Sequence, residues 1–306
     1  FLNETDISII NQNNIKYIQV SGSLKNGTLI QAIKKIISKN QITKISVIHT
    51  ASVIHPKRVS DFNKVNFLGL VDLINSINKN ILEKFTYISS NSPFGFSKKG
   101  FPFDEGSRYK PIGGYGESKK SAEEFLLNLS EKEKITILRA PWFHGVDMPQ
   151  RQAKFIVNAS KGKFPIIGKG KNIRSLVNTS DLAIAALNVT LKKRKKQIYW
   201  ISDSRSYSMK KLIKIIQNSN KNSSNLNKRF YAISLPRGTS SFFCFLDLIL
   251  QKIGIYNMYI HVLGELGQNI ECISKEYWNE FKDHKQCDFE NSIDKEIEEA
   301  YKKKFN

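Results

Sequence analysis

The sequence predicts an α/β protein built on a parallel β-sheet, and three observations carry that expectation. Short runs rich in β-branched residues alternate with amphipathic segments of about 10 to 15 residues. Three of those runs end in small or turn-forming residues, at Thr50-Ala51-Ser52, Ser89-Ser90 and Pro141-Trp142. Sheets of this kind hold their ligands at such strand ends. The chain has 306 residues and 40% hydrophobic content, enough to bury a core of one large domain or one and a half.

In chain order, residues 15–20 read as a strand and 29–38 as a helix. Residues 45–49 (ISVIH) read as a buried strand. Residues 63–77 read as a helix whose apolar positions include Val65, Leu68, Val71 and Leu73. A strand at 85–90 (FTYISS), a helix at 118–129 and a strand at 135–139 (ITILR) follow. From Pro141 to Gly170 the pattern is irregular and rich in Gly and Pro. A helix at 179–190 and a strand at 197–201 come next. Beyond Tyr207 the chain reads as helix and loop, with one strand-like piece at 229–234.

Composition narrows the function classes. Cys244, Cys272 and Cys287 are odd in number and lack metal-ligand spacing, which suits a reducing cytoplasmic setting and no disulfide framework. The five histidines (His49, His55, His144, His261 and His284) are scattered, so no metal is expected. The net charge of +21 comes mostly from evenly spread lysine and predicts no nucleic-acid partner. The one dense cluster, Lys192-Lys193-Arg194-Lys195-Lys196, reads as a solvated loop. No apolar run reaches the roughly 18–20 residues of a membrane span. The nearest, FFCFLDLIL at 242–250, reads as a buried helix, with surface contact to a membrane as the alternative.

The chemistry centres on Tyr115 and Lys119 in PIGGYGESKK. Four residues apart on a helix, they share a face, and an ammonium there favours the tyrosinate and lowers the phenol's pKa. Ser90, at a strand end, can hydrogen-bond a carbonyl or alcohol. That trio suits hydride transfer at a carbon bearing oxygen. Spacing alone is weak, because composition predicts one or two Tyr-x-x-x-Lys pairs and two occur. The second, Tyr207 with Lys211, has no serine-bearing strand before it and reads as a chance pair on a surface helix.

Six segments in register carry a resemblance: VIHTAS, VNFLG, YISSNSPFG, YGESK, LRAPWFHG and IIGKGKNIRSLVNTSDLAIAAL. Together they resemble the extended short-chain dehydrogenases/reductases. Within these they are similar to the NAD-dependent epimerase/dehydratase and 3β-hydroxysteroid-dehydrogenase-like branch. The resemblance implies a Rossmann-like doubly wound parallel sheet with a smaller C-terminal α+β substrate lobe. It divides the chain into an NAD(P)-binding domain at 1–145, completed by about 176–203, and a substrate lobe at 146–175 and 204–306. It implies NAD or NADP as cofactor, with Tyr115 as acid/base, Lys119 on the nicotinamide ribose and Ser90 polarising the substrate oxygen. Ser23, Leu24, Thr50, Ala51, Ser52 and Pro141 would line the cofactor, and Asn66 would support that wall. Asn91, Trp142, Arg151 and Arg174 would face substrate, with Arg174 on a diphosphate, for which a forked guanidinium is suited. Surface cations are the alternative for both arginines, and His49 reads as a structural strand-end residue. A homodimer through the helices at 63–77 and 118–129 is also implied.

Departures from the family pattern sharpen these expectations. The glycine-rich phosphate loop is absent, and the first glycine is Gly22. The first βαβ unit is therefore expected to lie before residue 1, and residues 1–306 are expected to bind dinucleotide poorly. Gly22-Ser23-Leu24 stands where relatives carry Gly-Asp-Leu. Asn91 and Ser92 stand where sugar 4,6-dehydratases carry an acidic pair, which disfavours dehydration. Trp142 stands where nucleotide-sugar epimerases have asparagine. The expected activity is an epimerase or oxidoreductase acting on a secondary alcohol or ketone, most plausibly of a nucleotide sugar. Alternatives are a reductase of a sterol-like or other carbonyl, and a non-catalytic nucleotide-sensing relative.

Overall fold

The computed structural model describes residues 18–219 and 232–305. Its centre is a four-stranded parallel sheet of β1 (Ile45–His49), β2 (Leu82–Ser90), β3 (Ile135–Ala140) and a strand near Trp200, in that spatial order. Every residue of β3 is buried, as expected for a central parallel strand covered on both faces. Alternate residues of β2 serve opposite faces. Phe85 and Tyr87 join Leu70, Leu73, Ala122 and Leu126 in one core, while Ile88 packs against Leu138, Ala185, Val189 and Tyr199 in the other.

One face of the sheet is covered by α1 (Thr28–Lys39), α2 (Gly69–Ser76) and α3 (Gly113–Leu127). A wide π-helical turn, Phe62–Leu68, leads directly into α2. The chain then forms β4 (Trp142–His144), α4 (Gln150–Ser160), β5 (Pro165–Ile167), β6 (Ile173–Arg174) and β7 (Leu176–Asn178). On the opposite face lies α5 (Thr179–Leu191), started by the Asn178 side chain accepting from Ser180 N at 2.9 Å. The fourth sheet strand is β8 (Ile198–Trp200). Two further strands and five helices complete the described chain: β9 (Tyr207–Ser208), α6 (Met209–Ser219), β10 (Ile233–Leu235), α7 (Gly238–Lys252), α8 (Met258–Leu266), α9 (Lys275–Glu280) and α10 (Phe289–Phe305). A third core gathers Phe155, Ile156, Leu212, Ile213, Ile216 and Ile293 from this later part.

Four expectations need correction. Residues 18–20 form no strand, and the rest of the segment expected at 15–20 lies outside the described residues. The strand expected at 229–234 is Ile233–Leu235, with residues 229–231 outside the described part. Tyr207 is not on a surface helix. It lies in β9, 1% exposed, in the third core, where β9 pairs antiparallel with β6. The helix around 242–250 is not buried by its apolar residues. Ser240, Asp247 and Gln251 form its buried face, while Phe242, Phe245 and Ile249 are exposed.

Candidate active site

The parallel register sets the site. His49 pairs with Tyr87, and Ser90 pairs with Ala140, so β1, β2 and β3 end at one crevice, the usual ligand position for such a sheet. The turn after β2 brings Ser92 against α3. A Cβ on Gly116 would stand 2.7 Å from the Ser92 carbonyl oxygen, so only glycine permits this approach. Gly113 starts α3 with φ +73°, a left-handed conformation that glycine adopts freely. These glycines place the first turn of α3, and Tyr115 with it, beside Ser90.

The hydroxyls of Ser52 and Ser90 lie close enough to the Tyr115 phenol to lower its pKa, and Ser52 Oγ has no hydrogen-bond partner of its own among the described residues. Burial raises its pKa, those two hydroxyls and the charge of Arg151 lower it, and Glu265 raises it again. Lys119, one turn along, donates to the Ile88 carbonyl at 3.0 Å and lies over the Tyr87 ring at 4.6 Å. Burial brings its pKa down from 10.5 to about 7, against the pull of Glu123. The expected lowering of Tyr115 by a full ammonium is therefore replaced. Desolvation takes charge away from Lys119 and holds the Tyr115 phenol above its ordinary pKa, against the pull of the neighbouring hydroxyls.

Asn66 ties the elements together. Its Oδ1 accepts from Val53 N at 2.7 Å, and its Nδ2 donates to Val53 O at 3.0 Å and to Ser118 Oγ at 3.1 Å. Ser118 Oγ in turn donates to the Tyr115 carbonyl at 2.8 Å. The π-helical turn that carries Asn66 thus fixes the strand-end loop of Thr50, Ala51 and Ser52 relative to Tyr115. Both amide donors of Asn66 are used inside the protein. Thr50 and Ala51 are exposed, and Ser52 is half-buried.

The remaining expected residues divide. Asn91 lines the same cleft of about 400 Å³ as Tyr115. Pro141 is buried between β3 and β4. Trp142 packs on Phe155 and lines a second cavity with His144 and Leu176. Arg174 is no surface cation. It is 6% exposed, lies 5.8 Å from the Trp142 ring and donates to the Glu265 carbonyl. Its pKa falls to about 10 through burial. Arg151 reaches the Glu265 carboxylate at 3.6 Å. Ser23 is tied locally, donating through N to Thr28 Oγ1 at 2.9 Å and accepting from Lys25 N at 3.1 Å. The Leu24 side chain is core, packed with Ile30 and Leu70. His49 is a strand-end ring stacked on Tyr87, its pKa pushed down to about 4 by burial and by Lys119.

Sequence reasoning missed Asp247, His261 and Glu265, which α7 and α8 bring into the Tyr115 cleft. Asp247 Oδ2 lies 2.8 Å from His261 Nδ1 and accepts from Gln251 Nε2 at 2.8 Å. Gln251 Oε1 accepts from Gly114 N at 2.7 Å, satisfying one of the open donors at the start of α3. Burial works against a charge on His261, yet Glu265 and Asp247 raise its pKa. A carboxylate inside an apolar helical run was the available signal, since a buried Asp requires a partner.

A parallel sheet covered on both faces, with a Tyr/Lys helix set against its strand ends, has the crevice in which such sheets hold ligands. The chain matches the model of the NAD dependent epimerase/dehydratase family over residues 11–202, and it belongs to that family. An uncharacterized protein of Sinorhizobium fredii is 36% identical over 231 residues, 74% of this chain and 65% of that protein. The human dTDP-D-glucose 4,6-dehydratase is 29% identical over 229 residues, 71% of this chain and 63% of that protein. The chain thus spans less than two thirds of the length of these relatives. In fold it is similar to the UDP-glucose 4-epimerase of Thermotoga maritima, solved with UDP-glucose. The TM-score is 0.68 at 18% identity, covering 98% of this chain and 88% of that one.

Proposed function

We propose that the protein exchanges hydride between NAD or NADP and a secondary alcohol or ketone of a nucleotide sugar, as an epimerase or oxidoreductase. The observation that carries this reading is that one helix sets Tyr115 and, one turn on, Lys119 against the end of the strand bearing Ser90. The family assignment supports the cofactor, and the relatives' names support a sugar diphosphate. When bound, the nicotinamide supplies the hydride acceptor and donor.

The residues fit such a cofactor. The Lys119 ammonium has three donors, and the Ile88 carbonyl takes one. The others suit the vicinal hydroxyls of a ribose. Thr50, Ala51 and Ser52 offer an open wall at the end of β1, and Pro141 closes the far side. Tyr115 takes the carbinol proton as the alcohol is oxidised and returns it on reduction, while Ser90 orients the oxygen. A substrate diphosphate would reach Arg151 by displacing Glu265, which now holds that guanidinium. Asn91 and Ser92 offer no carboxyl group beside Ser90 for water elimination, which favours epimerisation or simple oxidoreduction over dehydration.

The test uses the full-length protein and a UDP- or dTDP-hexose with deuterium on the reacting carbon. Tyr115→Phe should lower turnover by about 10²–10⁴-fold, and wild-type turnover in that variant would overturn the mechanism. Chromatography of nucleotide released on denaturation then separates the two modes. Retained NAD indicates internal recycling in an epimerase, and an empty protein indicates an oxidoreductase that exchanges its cofactor.

A further inference from the structure

Ser240 Oγ donates to the Gly264 carbonyl, and Asp247 meets His261, so the two helices run antiparallel with these polar side chains buried between them. Phe243, Leu246, Leu248 and Leu250 are half-buried and Leu266 is core, but one set of apolar side chains faces water. Phe242, Phe245, Ile249 and Ile253 recur at intervals of three and four, a single stripe on the helix. They are 61%, 64%, 42% and 66% exposed, and Tyr259 of α8 adds 73%. A contiguous apolar ridge on a protein surface marks a contact face.

Charge selects the occupant. Between residues 236 and 266 the exposed charged side chains are Arg237 and Lys252, while the two acids, Asp247 and Glu265, are both turned onto His261. Beyond the hairpin, His55 stacks on Tyr256 at 5.9 Å, which brings the loop bearing exposed Lys57 and Arg58 to the same end. The rim is thus cationic, on a chain of net charge +21. A second copy across a two-fold axis would set cation against cation. An anionic bilayer accepts both features, with apolar side chains at the acyl boundary and cations among the headgroups. Among the described residues no helix is long and apolar enough to cross a membrane, so the contact is interfacial. We propose that this ridge seats the protein on an anionic membrane surface.

The test is flotation of the full-length protein with vesicles of phosphatidylcholine, with and without phosphatidylglycerol. Wild type should float with the phosphatidylglycerol vesicles and be released by salt. The triple variant Phe242→Ser/Phe245→Ser/Ile249→Ser should bind at least about tenfold more weakly. Arg237→Glu/Lys252→Glu leaves the ridge intact and should weaken binding several-fold. Matching circular dichroism and thermal midpoints keep loss of fold out of the comparison. No flotation, equal flotation on neutral vesicles, or binding unchanged in the triple variant would overturn the proposal. So would a doubled mass in light scattering that the triple variant abolishes, which would give the ridge to a second copy.

Discussion

Lys119→Met tests how far burial has stripped the site lysine of its charge. The native pKa is about 7 against an ordinary 10.5, a difference of about 3.5 units. At about 1.36 kcal/mol per unit, keeping the proton in the folded protein costs about 5 kcal/mol. The native state binds fewer protons than the unfolded chain between pH 7 and 10.5, so stability rises with pH through that window. The penalty is complete below about pH 7 and gone above the unfolded pKa. Methionine keeps the stem and does not titrate. The stability gap between wild type and Lys119→Met should therefore move in favour of wild type by about 1.4 kcal/mol per pH unit. Urea melts at about pH 7.5 and 9.5 measure it, with a gain of roughly 2–3 kcal/mol for wild type expected across the interval. Every other titrating group cancels in the difference, as does the loss of the bond to Ile88 O. A gap that stays flat would show a lysine charged throughout, with Glu123 outweighing burial, and would refute the reasoning.

Other perturbations have equally definite outcomes. Arg139, 2% exposed, donates to Glu123 Oε2 at 2.7 and 3.0 Å and stacks over Phe94 at 4.4 Å. Arg139→Met should cost about 3–5 kcal/mol in urea melts, because Glu123 is left buried without its partner. His144 lies between Asp203 and Glu296, whose hydrogen bonds overcome burial and raise its pKa to about 9. Its stabilisation is complete below about pH 6.5 and lost as pH rises through 9, so the destabilisation caused by His144→Gln should shrink across that range in the same melts. Asn66→Ala removes the partners of Val53 N and O, and should cost about 1–3 kcal/mol and raise the KM for nicotinamide cofactor.

The sheet was legible because its strands obey local rules. Residues 45–49 and 135–139 are apolar runs long enough for a strand and too short for a buried helix, and they fold as read. The start of the Tyr115 helix was not. Gly-Gly-Tyr-Gly has the local preference of a loop, and the helix was expected from residue 118. It starts at Gly113 because Gln251 caps Gly114 from far along the chain and the Ser92 carbonyl needs the space at Gly116. Tyr115 and Lys119 could be singled out because a strand ending in Ser90 precedes them; spacing alone does not separate them from Tyr207 and Lys211. Asp247, His261 and Glu265 could not, because only the folded hairpin makes them neighbours. The 242–250 helix failed because residue type does not say which side faces inward. In that helix the answer lay with the few polar residues, Ser240, Asp247 and Gln251, whose spacing marks the buried side.

The bond from Gly114 to Gln251 joins residues 137 apart in sequence. During synthesis at roughly 5–20 residues per second, the turn bearing Tyr115 leaves the ribosome about 7–27 s before its cap. Strands β1 to β3 and the helix behind them can assemble in that interval, since their contacts lie within the part already made. The bond that caps Gly114 cannot form until the hairpin arrives, although the contacts of Asn66 with Ser118 and of Lys119 with Ile88 are already available. The Gln251 cap of the Tyr115 turn is therefore the last of these supports to be made.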